Sequence, residues 1–296
     1  MIVAFSFFLV NPIEAMLMNL RRFLIAVMFV VFLPGFIYPA FAAGPSHLTF
    51  GIYPYDTPTQ VYQNFEPLIQ HISKELGIPV KIVIAPNYMS HIISIGEGRV
   101  DFGFMGPSPY IRAKDKYGGV ELVTRLMMRD NKNDRLVIIS HKQSGINTLK
   151  DLKGKTFAFG DFQSYGSHFY PRYLLTRAGV KLKDLKSYDF LGSHSRVILA
   201  VAHRDFDAGG IREDIFEKYR DRPVKIIAGP FAMPPHVIVC RKGLPEDLRE
   251  KVRNILMDLR NHAILKRIDQ ALERFGPVSD HDFRQAREVV NFMEDR

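Results

Sequence analysis

Four short polar turns hold the residues whose types and spacing point to chemistry. They are Tyr53-Pro54-Tyr55, the stretch from Met105 to Tyr110, the stretch from Ser164 to His168, and Gly192-Ser193-His194-Ser195. Together they offer hydroxyls at Tyr53, Ser108, Tyr110, Ser164, Tyr165 and Ser167, an imidazole at His194, and exposed backbone N–H groups around Gly166. Hydroxyl and N–H donors without a paired base suit the capture of an oxyanion, not attack by one. The turn at 164–168 is the clearest case, because a helix that starts on Ser and Gly residues directs N–H groups and the positive end of its dipole outward. The plainer reading is that Ser164 is an ordinary helix cap; Ser108 also fits that role. An esterase-like Ser–His pair between Ser164 or Ser167 and His194 is the enzymatic alternative. It lacks an evident orienting carboxylate and a Gly-x-Ser-x-Gly elbow, so no enzyme is expected. No pair of histidines has metal-ligand spacing with a carboxylate on the same element, so neither a metal nor a cofactor is expected.

The elements that must position these turns alternate between strand and helix. His47–Ile52 reads as a strand, and Thr57-Pro58 supplies an N-cap with proline at the first helical position. Val61, Phe65, Leu68, Ile69, Ile72 and Leu76 form one apolar face, which Gly77 ends. Strands follow at 80–84 and 100–104, with a short helix capped by Asn87 between them. The pattern restarts after a strand at 135–140. Strand 155–159, helix 165–178, strand 187–190, helix 195–202 and strand 206–210 make a second series, and further strands are read at 224–228 and 237–240. A helix is expected over 245–261. Such alternation predicts parallel sheets with crossover helices, and ligands then sit beyond the carboxyl ends of strands, where these turns fall. The predicted fold class is α/β, in two lobes joined by two crossings.

Length and charge narrow the function classes. At 296 residues and 47% hydrophobic, the chain can bury cores for two domains. Its net charge of +9 is scattered, with no basic run of five or more, which argues against nucleic acid. Cys240 is the single cysteine, so no intrachain disulfide forms, and its apolar strand makes it a buried thiol. Arg21-Arg22, the apolar run Phe23–Leu33, the Pro34-Gly35 break and Ala40-Phe41-Ala42 predict a signal peptide cleaved after Ala42. No cysteine near that site would carry a lipid anchor, and Met16 or Met18 is a better start than Met1.

Taken in order, the segments GIYPYD, GRVDFGFMGPSPY, DLKGKTFAFGD, PRYLL, YDFLGSHSRVILAV and DFDAGG resemble the phosphate/phosphite/phosphonate-type substrate-binding proteins of ABC importers. The resemblance spans roughly residues 46–260. It implies a type II periplasmic-binding-protein fold, with residues 43–138 plus 236–296 as lobe 1 and 139–235 as lobe 2, closing on a small oxyanion. It also implies a monomer in the periplasm that docks on an inner-membrane permease; a sensory module signalling to a membrane receptor is the alternative. Tyr53 and Tyr110 match first-lobe cleft positions of the family, and Gly192-Ser193-His194 matches its Gly-Ser-His. Asp161, Ser164 and the helix start match its second-lobe motif. Tyr165 stands there for a threonine, Gly166 for a serine and Ser167 for a glycine. Arg212 places a cation where family members carry neutral or acidic residues, which disfavours an amine-bearing ligand.

Overall fold

Strand β1 (Leu48–Ile52) leads into helix α1 (Pro58–Leu76) through the punctuation its sequence carries. The Thr57 hydroxyl accepts the Gln60 N–H at 3.3 Å, and Gly77, at φ 67°, closes the helix by donating its N–H to the Lys74 carbonyl. Val61, Phe65, Leu68, Ile69 and Ile72 are buried on one face, so the apolar stripe fixes which side meets the sheet. The computed structural model describes residues 46–129 and 135–294, together with Ile13, Met16 and Leu17. The expected leader, its cleavage site and its alternative starts otherwise lie outside the described residues. Residues Pro45–Arg296 form one compact unit.

Two mixed sheets carry this unit. The first has the order β11-β4-β10-β3-β1-β2, with β2 (Val80–Ile84), β3 (Phe102–Met105), β4 (Val120–Met128), β10 (Val237–Arg241) and β11 (Leu272–Gly276). The second has the order β7-β6-β8-β5-β9, with β5 (Arg135–His141), β6 (Thr156–Phe159), β7 (Ser187–Phe190), β8 (Ala208–Arg212) and β9 (Val224–Ala232). The expectation of parallel sheets is half right. β1 pairs in parallel with β2 and β3, and β6 with β7 and β8. The strands that bring the chain into and out of the second sheet run the other way: β5 is antiparallel to β8 and β9, and β10 to β3 and β4. Only pairs joined by a crossover helix are obliged to be parallel, and these strands arrive directly from the other sheet. Strands β4 and β11 and helix α3 (Pro107–Tyr117) are elements that hydrophobic periodicity did not single out.

The remaining elements relevant to the site are α2 (Tyr88–Gly96), a π-helical turn over Tyr165–Phe169 running into α4 (Tyr170–Arg177), α5 (His194–Ala202), α6 (Glu213–Lys218), α7 (Glu246–Asp258), α8 (His262–Ile268) and α9 (Arg284–Glu294). The single helix expected over 165–178 therefore begins as a wider turn. Phe283, Ala286, Val289, Val290 and Met293, in and before α9, share a core with Tyr110, Tyr165 and Phe169, so the C-terminal helix packs between elements of both sheets. Cys240 is fully buried in β10, and burial pushes its thiol pKa up to about 12. Among the described residues no helix is long and apolar enough to cross a membrane.

Candidate functional site

Helix starts converge where the two sheets face each other. α2 begins at Tyr88, α3 at Pro107 after β3, the π-turn at Tyr165 after β6, and α5 at His194 after β7. Each follows a strand, so each strand delivers the N-terminal end of its helix to the same side. Residues of all four starts line a small cavity of about 10 Å³ with Tyr53, Gly106, Ser164, Gly166, Arg212 and His236. First-turn N–H groups have no acceptor inside their own helix, and the dipoles bring positive partial charge to this point. The arrangement favours an anion without a charged side chain aimed at it.

Apart from Arg212, the polar side chains around the cavity are tyrosines, a serine and histidines. The Arg212 backbone N–H donates to His194 Nδ1 at 3.1 Å, which leaves the ring proton on Nε2. Burial, then the Arg212 guanidinium and His236, hold the His194 pKa well below the ordinary imidazole range. His194 is therefore a neutral N–H donor at neutral pH, not an imidazolium. Burial likewise raises the phenol pKa of Tyr88 and of Tyr165, so both keep their protons. Tyr53 is 2% exposed and stacks on Phe104 with ring centroids 5.5 Å apart. His236 stacks on the same pile, 5.1 Å from the Phe104 centroid and 6.4 Å from Tyr53.

Arg212 lines the cavity, but its guanidinium is taken up by other partners. Nε and Nη2 donate to the two carboxylate oxygens of Asp214, each at 2.8 Å. Nη2 also reaches Asp269 at 3.2 Å and Nη1 donates to His236 Nε2 at 3.3 Å. The group lies over the Tyr55 ring at 5.6 Å. Its charge is paired with the carboxylates of Asp214 and Asp269.

Three residues expected at the site are held elsewhere. The Tyr110 hydroxyl donates to Asp280 at 2.8 Å while its ring packs on Phe283, because α3 turns that face toward the C-terminal helix. The fully buried Ser108 hydroxyl donates to the Gln163 carbonyl at 2.6 Å and joins the start of α3 to the loop after β6. Ser167 faces Gly160, where a Cβ would lie 2.1 Å from its Oγ, because the π-turn rotates it toward β6. Tyr53, Ser164, Tyr165, Gly166, His194 and Arg212 are brought to the cavity. Ser164 also caps its helix, accepting the Ser167 N–H at 3.2 Å, so capping does not withdraw it from the cavity lining.

Tyr88, Met233 and His236 also line the cavity and were not anticipated. Tyr88 had a signal in the Asn87 cap that precedes it, since Asn87 Oδ1 accepts the Ser90 N–H at 2.8 Å. His236 had none, standing in Pro-Pro-His between strands. Tyr88 also meets the second sheet, where Ser164 bears on its phenol and its backbone bears on the Asp161 carboxyl.

A model of the family described as "ABC transporter, phosphonate, periplasmic substrate-binding protein" matches residues 50–283. The chain is 26% identical over 262 residues to the phosphonates-binding periplasmic protein of Escherichia coli, covering 83% of this chain and 77% of that one. It is 28% identical over 210 residues to a probable ABC transporter phosphite binding protein of Prochlorococcus marinus, covering 67% and 68%. Among solved structures, that organism's protein in complex with methylphosphonate is similar with a TM-score of 0.78 at 20% identity, over 85% of this chain and 100% of that one. A binding-protein component of a phosphonate ABC transporter from Pseudomonas aeruginosa aligns with a TM-score of 0.76 at 22% identity, over 83% and 86%. Those likenesses give the fold as that of type II periplasmic binding proteins.

Proposed function

The chain belongs to the family of phosphonate-type periplasmic substrate-binding proteins of ABC transporters, and from that premise we propose that it captures a compact tetrahedral oxyanion of the phosphonate, phosphite or phosphate class in the cavity between its two sheets. The observation that carries this reading is the convergence of four helix starts on one cavity that Ser164, His194, Tyr53 and Tyr88 also line. The N–H groups at Tyr165 and Gly166, the Ser164 hydroxyl, His194 Nε2–H and the phenols of Tyr53 and Tyr88 supply donors from both sides. Replacing the hydration shell of an anion needs donors in number more than net charge, and helix starts provide them at fixed positions. Ser108, Tyr110 and Ser167 act behind this shell, not in it.

The cavity is smaller than a tetrahedral oxyanion, so the ligand enters with the sheets apart and draws them together over itself. The contacts of Ser108 with Gln163, and of Tyr88 with Ser164 and Asp161, then hold the closed form. In this reading a signal peptide ending at Ala42 delivers the monomer to the periplasm, where the closed form is recognised by the permease. Isothermal titration of the mature chain with phosphite, methylphosphonate, phosphate, methanesulfonate and acetate tests the proposal. Binding of one or more phosphorus oxyanions in preference to acetate is expected; a chain that binds none of them is not an oxyanion carrier of this class.

A further inference from the structure

Beside the small cavity lies a groove of about 780 Å³, and Arg212 lines both. The groove is lined by Tyr55, Asp56, Gln60, Asp214, Lys266 and Asp269, among others. Space for a much larger ligand is therefore present next to the anion site and is separated from it at Arg212. The separation is built, not incidental. Arg212 ends β8, where its backbone is fixed by pairing with Leu136 and by its N–H bond to His194. Its guanidinium is held bidentately by Asp214, reaches across to Asp269 and His236, and lies over Tyr55. Asp269 is itself fixed, since its other oxygen accepts the Ala271 N–H at 2.8 Å. The Arg212 and Asp269 side chains are only 6% and 7% exposed.

We infer that the Arg212–Asp269 pair, braced by Asp214, sets the size of ligand by walling the anion cavity from the groove. The inference rests on the oxyanion reading of the cavity. A substituent on phosphorus longer than a methyl group has to displace a guanidinium that is bonded on every side, and a buried pair broken by removal of one partner is strongly destabilised. A hydrogen or methyl substituent leaves the pair untouched. The selectivity acts on length, so it applies to neutral alkyl chains as well as to charged ones. With the pair removed, the groove becomes continuous with the cavity and accepts the tail.

The test is calorimetric titration of the wild-type chain, Asp269→Asn, and the double variant Arg212→Ala/Asp269→Ala with methyl-, ethyl-, n-butyl- and phenylphosphonate. Wild type is expected to prefer methylphosphonate over n-butylphosphonate by about 10-fold or more. The double variant should lose most of that preference, and Asp269→Asn should fall between the two. Asp269→Asn keeps the shape of the side chain, so it decides the matter if the double variant fails to fold. A wild-type chain that binds phenyl- or butylphosphonate as tightly as methylphosphonate overturns the wall, as does a folded variant with the wild-type preference. Binding of no phosphonate by wild type, with phosphite and phosphate also silent, overturns the oxyanion reading and the wall with it.

Discussion

His194 carries the chemistry most dependent on its surroundings. Its Nδ1 accepts the Arg212 N–H, and burial keeps the ring neutral, so the ring offers one oriented N–H. A charged imidazolium would lose affinity for an anion as pH rises through about 6.5, the ordinary histidine value. A neutral donor does not. After correction for the ligand's own ionisation, affinity between pH 6 and 8 is expected to stay flat; a decline centred near the ordinary value would contradict the neutral tautomer. His194→Ala removes a hydrogen bond to a charged acceptor, a loss of about 1.5–3 kcal/mol, or roughly 10- to 150-fold in Kd by calorimetry. Residue identity made Ser164 and His194 visible as candidates, because a serine cap and an imidazole in a polar turn have few alternative uses. It did not separate Ser164 from Ser167, three positions on, where the π-turn decides which hydroxyl meets the cavity.

At the scale of elements, the strand–turn–helix of β6 and α4 does two jobs with one loop. Its residues 161–164 present the helix start to the cavity and also dock on the starts of α2 and α3. In the proposed closing motion the Ser108–Gln163 bond is made as the sheets come together, so Ser108→Ala is expected to leave a buried carbonyl unpaired in the closed form while the open form rehydrates it. The expected effect is about 1–3 kcal/mol on binding, roughly 5- to 150-fold, seen as faster ligand release in stopped-flow. An unchanged release rate would remove the loop contact from the closing mechanism. Within the same unit, Gly160 lies against the π-turn, and its N–H donates to the Ser167 carbonyl at 3.1 Å. A Cβ there would sit 2.1 Å from Ser167 Oγ and 2.7 Å from Ser167 Cβ. Gly160→Ala is expected to destabilise the chain by about 1–3 kcal/mol through overpacking, measured by denaturant unfolding. Double substitution with Ser167→Gly should recover most of the loss.

Over the whole molecule, buried neutral histidines link stability to pH. His91 is 1% exposed, and burial lowers its pKa to about 4, with the hydrogen bond to the Phe104 carbonyl opposing. His168 is also lowered to about 4, chiefly by burial; its Nδ1 bonds the Phe162 carbonyl, while its Nε2 meets no hydrogen-bond partner among the described residues. An unfolded histidine takes up its proton near pH 6.5, so between there and about 4 the unfolded chain binds more protons than the folded one. Stability is therefore highest above about 6.5 and falls as pH drops toward 4, by about 1.4 kcal/mol per unit for each such histidine. Tm measured from pH 7 to 4 is expected to decline across that window, and His168→Gln should flatten the decline. A profile that holds level down to pH 4.5 would contradict the burial argument.

Local sequence set most of the elements around the site, though not β4, β11, α3 or the π-turn. Thr57-Pro58, Gly77, Asn87 and Ser164 act through hydrogen bonds within a few residues, and apolar spacing fixes the buried face of a helix such as α1. The ordered polar turns likewise carried the resemblance to the family that the chain belongs to, because their order and spacing agree as well as their residue types. Long-range packing was needed for the antiparallel insertion of β5 and β10, the arrival of Tyr88 and His236 at the cavity, and the withdrawal of Tyr110 onto Asp280. It also paired Arg212 with Asp269, from the far side of the cleft. These are contacts between residues distant in the chain, where no periodicity or cap reaches. Packing of one sheet against the other chooses them, and with them which of several equivalent donors faces the ligand.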